Sequence, residues 1–237
     1  MTRYFVDLHC HTAASFDSLA DPGAVVRAAA TRGLSHLAIT DHDRIEGALR
    51  ARDAAPDGLT VLIGEEIRTL DGDLIAVFLE RAVAPHRPAR ETIEEIRAQG
   101  GLVGIPHPFD KYRGSMLKDP SLEGIAQLVD WIEAHNARVV GGTSNDRAQT
   151  FALEMGLPGV AVSDAHSVLE VGVAYMAVEV DPSTPEGLLA ALTNVELVPG
   201  RASFIVRTLT PLAKVVNRAR GNRRVPPPLA DSEGSPK

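Results

Sequence analysis

Short apolar runs alternate with longer amphipathic segments along most of the chain. The short runs, bounded by turn residues, indicate buried strands, and the segments between them have the spacing of helices with one apolar face. The predicted strands cover residues 4–8, 37–40, 60–63, 74–79, 102–105, 130–133 and 160–162, and the predicted helices cover 21–32, 45–55 and 89–99. This order predicts an α/β fold of parallel strands joined by crossover helices, and seven such strands indicate a barrel.

The boundaries of the first helix and of the folded region can also be predicted. Asp21 suits the N-cap of that helix, Pro22 its first position, and Gly33 its end. Two further strands, at 174–180 and 196–198, flank a helix at 185–193, and they either complete the barrel or form a small C-terminal extension. We expect one domain over 1–206, and then a basic and proline-rich tail over 207–237 that is disordered over about its last dozen residues.

Composition excludes several classes of function. With 24 basic and 31 acidic residues the net charge is −7, which argues against a broad electrostatic grip on nucleic acid or on an anionic membrane. The single cysteine cannot form an intramolecular disulfide, and no apolar run approaches the roughly 20 residues that a membrane helix needs. The sequence shows no secretory leader, so we expect a cytoplasmic protein.

Residues that commonly bind metal ions follow most of the predicted strands. They are His9, His11, Asp41, His42, Glu65, Glu66, His107, Asp164 and His166. Because the carboxyl ends of parallel strands meet at one end of a barrel, we expect these side chains to converge there. His9 and His11, like Asp164 and His166, have the spacing that places both side chains on the same side of an extended chain. A mixture of imidazole and carboxylate ligands suits Zn²⁺, Mn²⁺ or Fe²⁺ better than Ca²⁺ or Mg²⁺.

Together these segments resemble the PHP family, named for its polymerase-associated and histidinol-phosphatase members. The matching segments are Asp7-Leu8-His9-Cys10-His11-Thr12, Ile39-Thr40-Asp41-His42-Asp43, Gly64-Glu65-Glu66-Ile67, Ile105-Pro106-His107-Pro108-Phe109-Asp110, Glu133-Ala134-His135-Asn136-Ala137-Arg138 and Ser163-Asp164-Ala165-His166. The chain is most similar to the short stand-alone members. The resemblance implies a distorted (β/α)7 barrel, similar to a TIM barrel, with a site for two or three divalent ions (Mn, Zn or Fe).

The resemblance also implies a set of ligands. It assigns His9, His11, Glu66 and Asp164 to a first ion, with Glu66 bridging to a second ion that also uses His107. Asp17, or alternatively Asp21, would hold a third ion together with His42 and His166. Many relatives carry a further histidine on the fourth strand, where this chain has Asp73 and no histidine. Asp73 is therefore either a substitute ligand or an ordinary turn residue.

The function that follows is hydrolysis of a phosphate ester by metal-activated water. His42 or His166 is predicted to protonate the leaving oxygen, and Arg138, Arg113 and Lys111 are candidate partners for the phosphate. A low aromatic content gives little support for an extended nucleic-acid platform, so we expect a small-molecule substrate such as a nucleotide or a sugar phosphate.

Three alternatives remain open at this point. The first is a nuclease acting on short oligonucleotides. The second is a degenerate barrel that binds metal in a regulatory role without catalysis. The third is an amidohydrolase-like enzyme, disfavoured because lysine is scarce in the region where a carbamylated bridging lysine would lie.

Overall fold

The structure, a computed structural model, describes residues 2–111 and 121–227. Within these residues the chain forms nine strands and eight helices. The strands are β1 (Tyr4–Asp7), β2 (His36–Ile39), β3 (Thr60–Arg68), β4 (Asp73–Val77), β5 (Leu102–Ile105), β6 (Trp131–Asn136), β7 (Gly159–Val162), β8 (Tyr175–Val178) and β9 (Glu196–Val198). The helices are α1 (Pro22–Thr31), α2 (Glu46–Asp53), α3 (Ala89–Ala98), α4 (Ser121–Ala126), α5 (Thr143–Met155), α6 (Pro185–Ala191), α7 (Phe204–Arg207) and α8 (Leu209–Ala219).

All nine strands belong to one sheet, in the order β7-β6-β5-β4-β3-β2-β1-β8-β9. The prediction that the strands are uniformly parallel is wrong for β4, which is antiparallel to both β3 and β5. Only residues 69–72 connect β3 to β4, and a parallel connection needs a dozen residues or more. The short connection therefore forces a hairpin, and β4 starts at the end of the barrel where β3 finishes.

The sheet curls into a nearly closed barrel, as predicted. Just after β1 and β7, the two segments that follow these strands run side by side. The amide of Asp164 donates to the carbonyl of His9 (2.9 Å), and the amide of His11 donates to the carbonyl of Ala165 (2.8 Å). Nearer the start of β1, the antiparallel strand β8 occupies that edge. The barrel thus closes at the carboxyl ends of its strands, next to the residues that bear the candidate ligands.

The core lies inside this sheet and between the sheet and the surrounding helices. Trp131 is fully buried in a cluster with Val6, Leu62 and Ile75. The neighbouring strand makes room for its ring at Gly104, where an added Cβ would lie 2.1 Å from the indole nitrogen. This packing fixes the positions of β5 and β6 and with them the residues that follow these strands.

The region after residue 206 contains more structure than the sequence predicted. Helix α8 packs against the loop that follows β1, and its Asn217 is buried there. The disorder predicted for the end of the chain concerns residues that, from 228 onward, lie outside the described part. None of the helices in the described ranges has both the length and the apolar character needed to cross a membrane.

Candidate metal centre

The two histidines after β1 lie at the centre of the closed end of the barrel. His9 and His11 are fully buried, and their Nε2 atoms are 2.9 Å apart. The backbone hydrogen bonds to the segment after β7 hold this stretch extended, so the two side chains point to the same side. Two imidazole nitrogens this close, with few other partners, are arranged to share one cation.

Glu66 lies in the middle of the cluster. Four imidazole nitrogens surround its carboxylate at 3.2–3.3 Å: Nε2 of His9, Nε2 of His11, Nδ1 of His42 and Nε2 of His107. Within the described residues neither oxygen of this buried carboxylate has a hydrogen bond of acceptable geometry. A buried carboxylate is stable only when paired or bound to a cation, so this arrangement fits a bridging metal ligand.

Asp164 and His166 complete one side of the cluster. Oδ1 of Asp164 lies 3.6 Å from Nε2 of His9 and 3.5 Å from Nε2 of His11. Asp164 has a positive φ of 51°, and His107 has a φ of 29°, conformations that are costly for residues other than glycine. Ligand atoms of His9, His11 and Asp164 all lie within 4.8 Å of one another, and these residues form the first of three candidate ion positions.

A second position combines His11 with Asp17, His42 and His166. Oδ2 of Asp17 lies 3.3 Å from Nε2 of His42 and 3.3 Å from Nε2 of His166, and the hydroxyl of Ser15 donates to Oδ1 of Asp17 (2.8 Å). The alternative candidate, Asp21, lies elsewhere, because it caps α1 by accepting from the amide of Ala24 (3.0 Å). The structure therefore brings Asp17, and not Asp21, to the cluster.

The third position groups His42 and Glu66 with Asp73. Asp73 reaches the cluster because β4 is antiparallel, which puts the first residue of this strand at the end where β3 finishes. Its Oδ1 contacts Nε of Arg68 at 3.2 Å and Nη2 of Arg224 at 3.1 Å, whereas its Oδ2 has no hydrogen-bond partner in the described chain. This geometry leaves one oxygen of Asp73 for an ion.

A further acidic residue, Glu133 of β6, holds two of the candidate ligands in place. Its Oε1 lies 2.6 Å from Nδ1 of His9, and its Oε2 accepts from the amide of His107 (2.9 Å). Asn136 donates to Oε2 of Glu133 (2.9 Å) and to Oδ2 of Asp164 (3.0 Å). Carboxylates that fix the orientation of histidine ligands in this way are typical of metal sites. Our sequence reasoning did not nominate Glu133, although an acidic residue at the end of a buried strand was a usable signal.

The electrostatics suit cation binding. Burial raises the pKa of Asp17, but its contacts with the imidazoles of His166 and His42, both 3.3 Å from Oδ2, outweigh that effect and hold the pKa well below its ordinary value. The pKa of Glu66 is lowered in the same way, chiefly by His42 against the effect of burial. Burial, reinforced by the charge of Arg138, lowers the pKa of His166 to about 3. His166 is therefore a neutral imidazole near pH 7, the form that binds metal.

The residues present thus fit divalent ions. The carboxylate oxygens of Glu66, which have no hydrogen bond among the described residues, lie among imidazole nitrogens in a buried cluster, and this donor set favours transition metals. The three groups share residues, His11 between the first two and His42 between the last two. Ions held by them would therefore be neighbours.

Of the three cationic residues predicted from the sequence, two lie in the part of the chain that the structure describes. Arg138 is 9% exposed, with Nη1 on Oε1 of Glu170 (2.5 Å) and Nη2 on the hydroxyl of Thr210 (2.8 Å). Lys111 is exposed, and Arg113 lies outside the described residues. Their roles in binding substrate stay predictions. Arg224, which the sequence reasoning missed, also contacts Asp73 and belongs to the C-terminal part of the chain.

An apolar cavity of about 250 Å³ lies beside His166. Leu19 and Val168 line one side of it, and Leu209 and Leu212 of α8 line the other. A larger cavity of about 620 Å³, lined by Phe109 and residues of α5 among others, includes none of the candidate ligands. Of these two cavities lined by described residues, the smaller one adjoins a candidate ligand.

Comparison with known proteins identifies the same family as the sequence motifs. The PHP domain model matches residues 7–129, and a PHP-associated model matches residues 142–196. An uncharacterized protein of Methanocaldococcus jannaschii is 35% identical over 133 residues, which cover 50% of this chain and 78% of that protein. A 5'-3' exoribonuclease of Haemophilus influenzae is 41% identical over 70 residues, covering 29% of this chain but only 25% of the exoribonuclease.

One solved structure is similar over most of the fold. It is a two-domain protein from Bacteroides vulgatus that contains a predicted PHP-like metal-dependent phosphoesterase, and it superposes with a TM-score of 0.70 at 21% identity. The match covers 84% of this chain and 65% of that protein. At this identity the likeness concerns the fold.

Proposed function

This chain belongs to the PHP family, and from that premise we propose that it hydrolyses a phosphate ester of a small molecule with metal-activated water. The observation that carries the proposal is the carboxylate of Glu66, which four imidazole nitrogens surround at 3.2–3.3 Å and which has no hydrogen bond of acceptable geometry among the described residues. When bound in neighbouring positions, divalent ions lower the pKa of a shared water and neutralise charge on the phosphoryl oxygens.

We propose roles for the ligands on the basis of these distances. His9, His11 and Asp164 would hold one ion, and Asp17, His42 and His166 would hold another. Glu66, which lies next to both His107 and Asp73, would act as a ligand together with these two residues. Leaving groups need a proton, and His42 and His166, at 5% and 6% exposure, are the least buried histidines of the cluster. The proton donor stays as predicted from the sequence, His42 or His166, because both also belong to the ligand groups.

A small substrate is favoured over a long nucleic acid. The cavity next to His166 measures about 250 Å³ and has apolar walls, which suits a compact leaving group more than a polynucleotide strand. A nuclease that acts on short oligonucleotides is the second candidate, and the similarity to a 5'-3' exoribonuclease supports it over about a quarter of that enzyme's length.

The test is metal analysis of the purified full chain followed by a phosphate-release screen with added Mn²⁺. The substrates are nucleotides, sugar phosphates, dinucleotides and short oligonucleotides. We expect two or three ions per chain and the fastest release from a small phosphate ester. Asp164→Ala should abolish release, whereas the matched control Asp57→Ala, which removes an exposed carboxylate, should leave it unchanged.

Two outcomes would contradict the proposal. Release that survives Asp164→Ala would place the chemistry elsewhere. A chain that binds stoichiometric metal and releases phosphate from none of these esters would favour the non-catalytic regulatory role.

A further inference from the structure

Residues 209–225, which we call the C-terminal segment, are fastened to the loop that carries Asp17. The side-chain amide of the buried Asn217 donates to the carbonyls of Ser15 (3.2 Å), Phe16 (3.1 Å) and Ser18 (2.8 Å). Three backbone carbonyls of one loop converge on a single amide group. The segment is therefore held against the metal centre by polar contacts specific to that loop.

A second asparagine continues this attachment. Asn222 donates to the carbonyls of Ala13 (3.3 Å) and Ala14 (3.1 Å), and its own carbonyl accepts from Nη1 of Arg44 (2.9 Å). Arg44 also donates to the backbone carbonyl of Arg223 (3.0 Å). These bonds fix the course of the chain just before residue 224.

Arg224 is the residue that this course brings to the cluster. Its Nε donates to Oδ2 of Asp43 (3.0 Å) and its Nη2 donates to Oδ1 of Asp73 (3.1 Å). Its guanidinium carbon lies 6.0 Å from the centre of the Phe16 ring, which in turn lies 5.0 Å from the ring of His42. A guanidinium has five N–H groups, so three remain that no described residue accepts. The side chain is 18% exposed, which leaves it within reach of a ligand.

The arginine predicted from the sequence is arranged differently. Arg138 is almost fully buried, and both of its Nη atoms are taken, one by Glu170 and one by Thr210. The phosphoryl group of a substrate carries more negative charge than the ions alone satisfy, and a guanidinium with free N–H groups binds its oxygens in a planar, paired geometry. Arg224, with N–H groups that no described residue accepts and a side chain that is 18% exposed, meets this requirement.

We propose that Arg224, delivered by the C-terminal segment, binds a phosphoryl oxygen of the substrate at the rim of the metal centre. The inference rests on the proposed phosphoesterase function and adds a residue to it. Asp43 and Asp73 act here as positioning residues, because they hold the guanidinium through one N–H each.

The test measures the binding of inorganic phosphate to the full, Mn²⁺-loaded chain by calorimetry. Losing one charge-assisted contact should raise the dissociation constant of phosphate by about tenfold or more in Arg224→Ala. The matched control is Arg223→Ala, which removes the same charge at the neighbouring, exposed position and should leave phosphate binding unchanged. Arg224→Lys should keep part of the affinity, and added guanidinium ion should restore phosphate binding to Arg224→Ala only.

Metal content and KM separate this proposal from its rivals. We expect Arg224→Ala to retain the metal content of the parent and to raise KM for the best ester of the phosphate-release screen more than it lowers kcat. Phosphate binding that is equal in Arg224→Ala and Arg223→Ala would overturn the inference while leaving the phosphoesterase function intact. Loss of metal in Arg224→Ala would overturn it in favour of a purely structural role. If the parent chain neither binds phosphate nor releases it, the proposed function fails, and the inference fails with it.

Discussion

The two ends of the barrel differ in how their charged side chains are paired. At the amino ends of β5 and β6, Arg97 meets Asp130 in a paired contact of 2.6 and 3.0 Å, and Asp130 also accepts from the amide of Val103 (2.7 Å). At the carboxyl ends, Glu66 lies among imidazoles, and neither of its oxygens has a hydrogen bond from the described residues. The charge of Asp130 is balanced by a side chain of the protein, whereas the charge of Glu66 requires a bound cation.

This difference shows which end is built for stability and which for chemistry. Buried polar groups that are fully satisfied stabilise a fold, whereas incompletely satisfied groups destabilise it and are kept where function needs them. His107 and Asp164 have positive φ values at the same end as Glu66, whereas Phe78 has a positive φ at the opposite end. Substitutions at the two ends should therefore affect different properties.

The sharpest test of this contrast uses two adjacent glutamates of β3. Glu66→Gln removes the charge that the ions need, so we expect the metal content to drop. Phosphate release should fall by more than roughly 100-fold, the upper end of the loss typical of residues that only orient metal ligands. Glu65→Gln is the matched control, because Glu65 is buried on the other face of the strand, where it accepts from the amide of Val83 (2.8 Å). Metal analysis and steady-state rates check both. Equal losses in the two variants would contradict the assignment of Glu66.

A smaller effect is expected at Glu133. Glu133→Gln keeps the shape of the side chain but weakens its contacts with His9 and the amide of His107. We expect metal affinity to fall by about 10–100-fold, the range typical of groups that orient ligands. Competition with a chelator measures it. Unchanged affinity would show that His9 is oriented by its other neighbours.

At the amino end the expected effect is on stability alone. Arg97→Ala breaks the pair with Asp130, and because Arg97 is partly exposed we expect a loss of about 1 kcal/mol in the free energy of unfolding. Chemical denaturation measures this loss, and phosphate release per folded molecule should stay at the parent value. A fall in kcat would mean that the two ends are coupled.

The smallest effect concerns pH and also lies at the amino end. Burial lowers the pKa of His36 below its ordinary value of 6.5, against the opposing charge of Asp181. The folded state therefore holds fewer protons than the unfolded state, so this residue makes stability fall as the pH drops from about 7 through 6.5. His36→Gln should lose less stability than the parent between pH 7 and pH 5. Denaturation at both pH values checks this, and identical losses would contradict it.

The positions of the candidate ligands were largely predictable from sequence because they depend on local signals. His9, His11, Asp164 and His166 follow short apolar strands, and the carboxyl ends of such strands meet. The cap at Asp21 was predicted for the same local reason, and the amide of Ala24 confirms it. Side-chain spacing and strand position suffice for residues of this kind.

Other features depend on tertiary contacts and were missed. Helix α8 has apolar residues at 209, 212, 213 and 216, a helical spacing that the sequence reasoning did not use because basic residues and prolines dominate this region. The role of Arg224 depends on contacts with Asp43 and Asp73, more than 150 positions earlier in the chain. No local pattern reports a contact over such a separation, just as none reports that Glu133 faces His9.

The hairpin between β3 and β4 makes one part of the site depend on a loop length. Side chains alternate between the two faces of a strand, so a shift of one position in pairing exchanges them. Removing one residue from positions 69–72 while keeping a turn of four residues would move Leu74 to the place of Asp73, opposite Arg68. Surface loops usually tolerate insertions and deletions, but here a single deleted residue would replace a charged group at the metal centre with an apolar one.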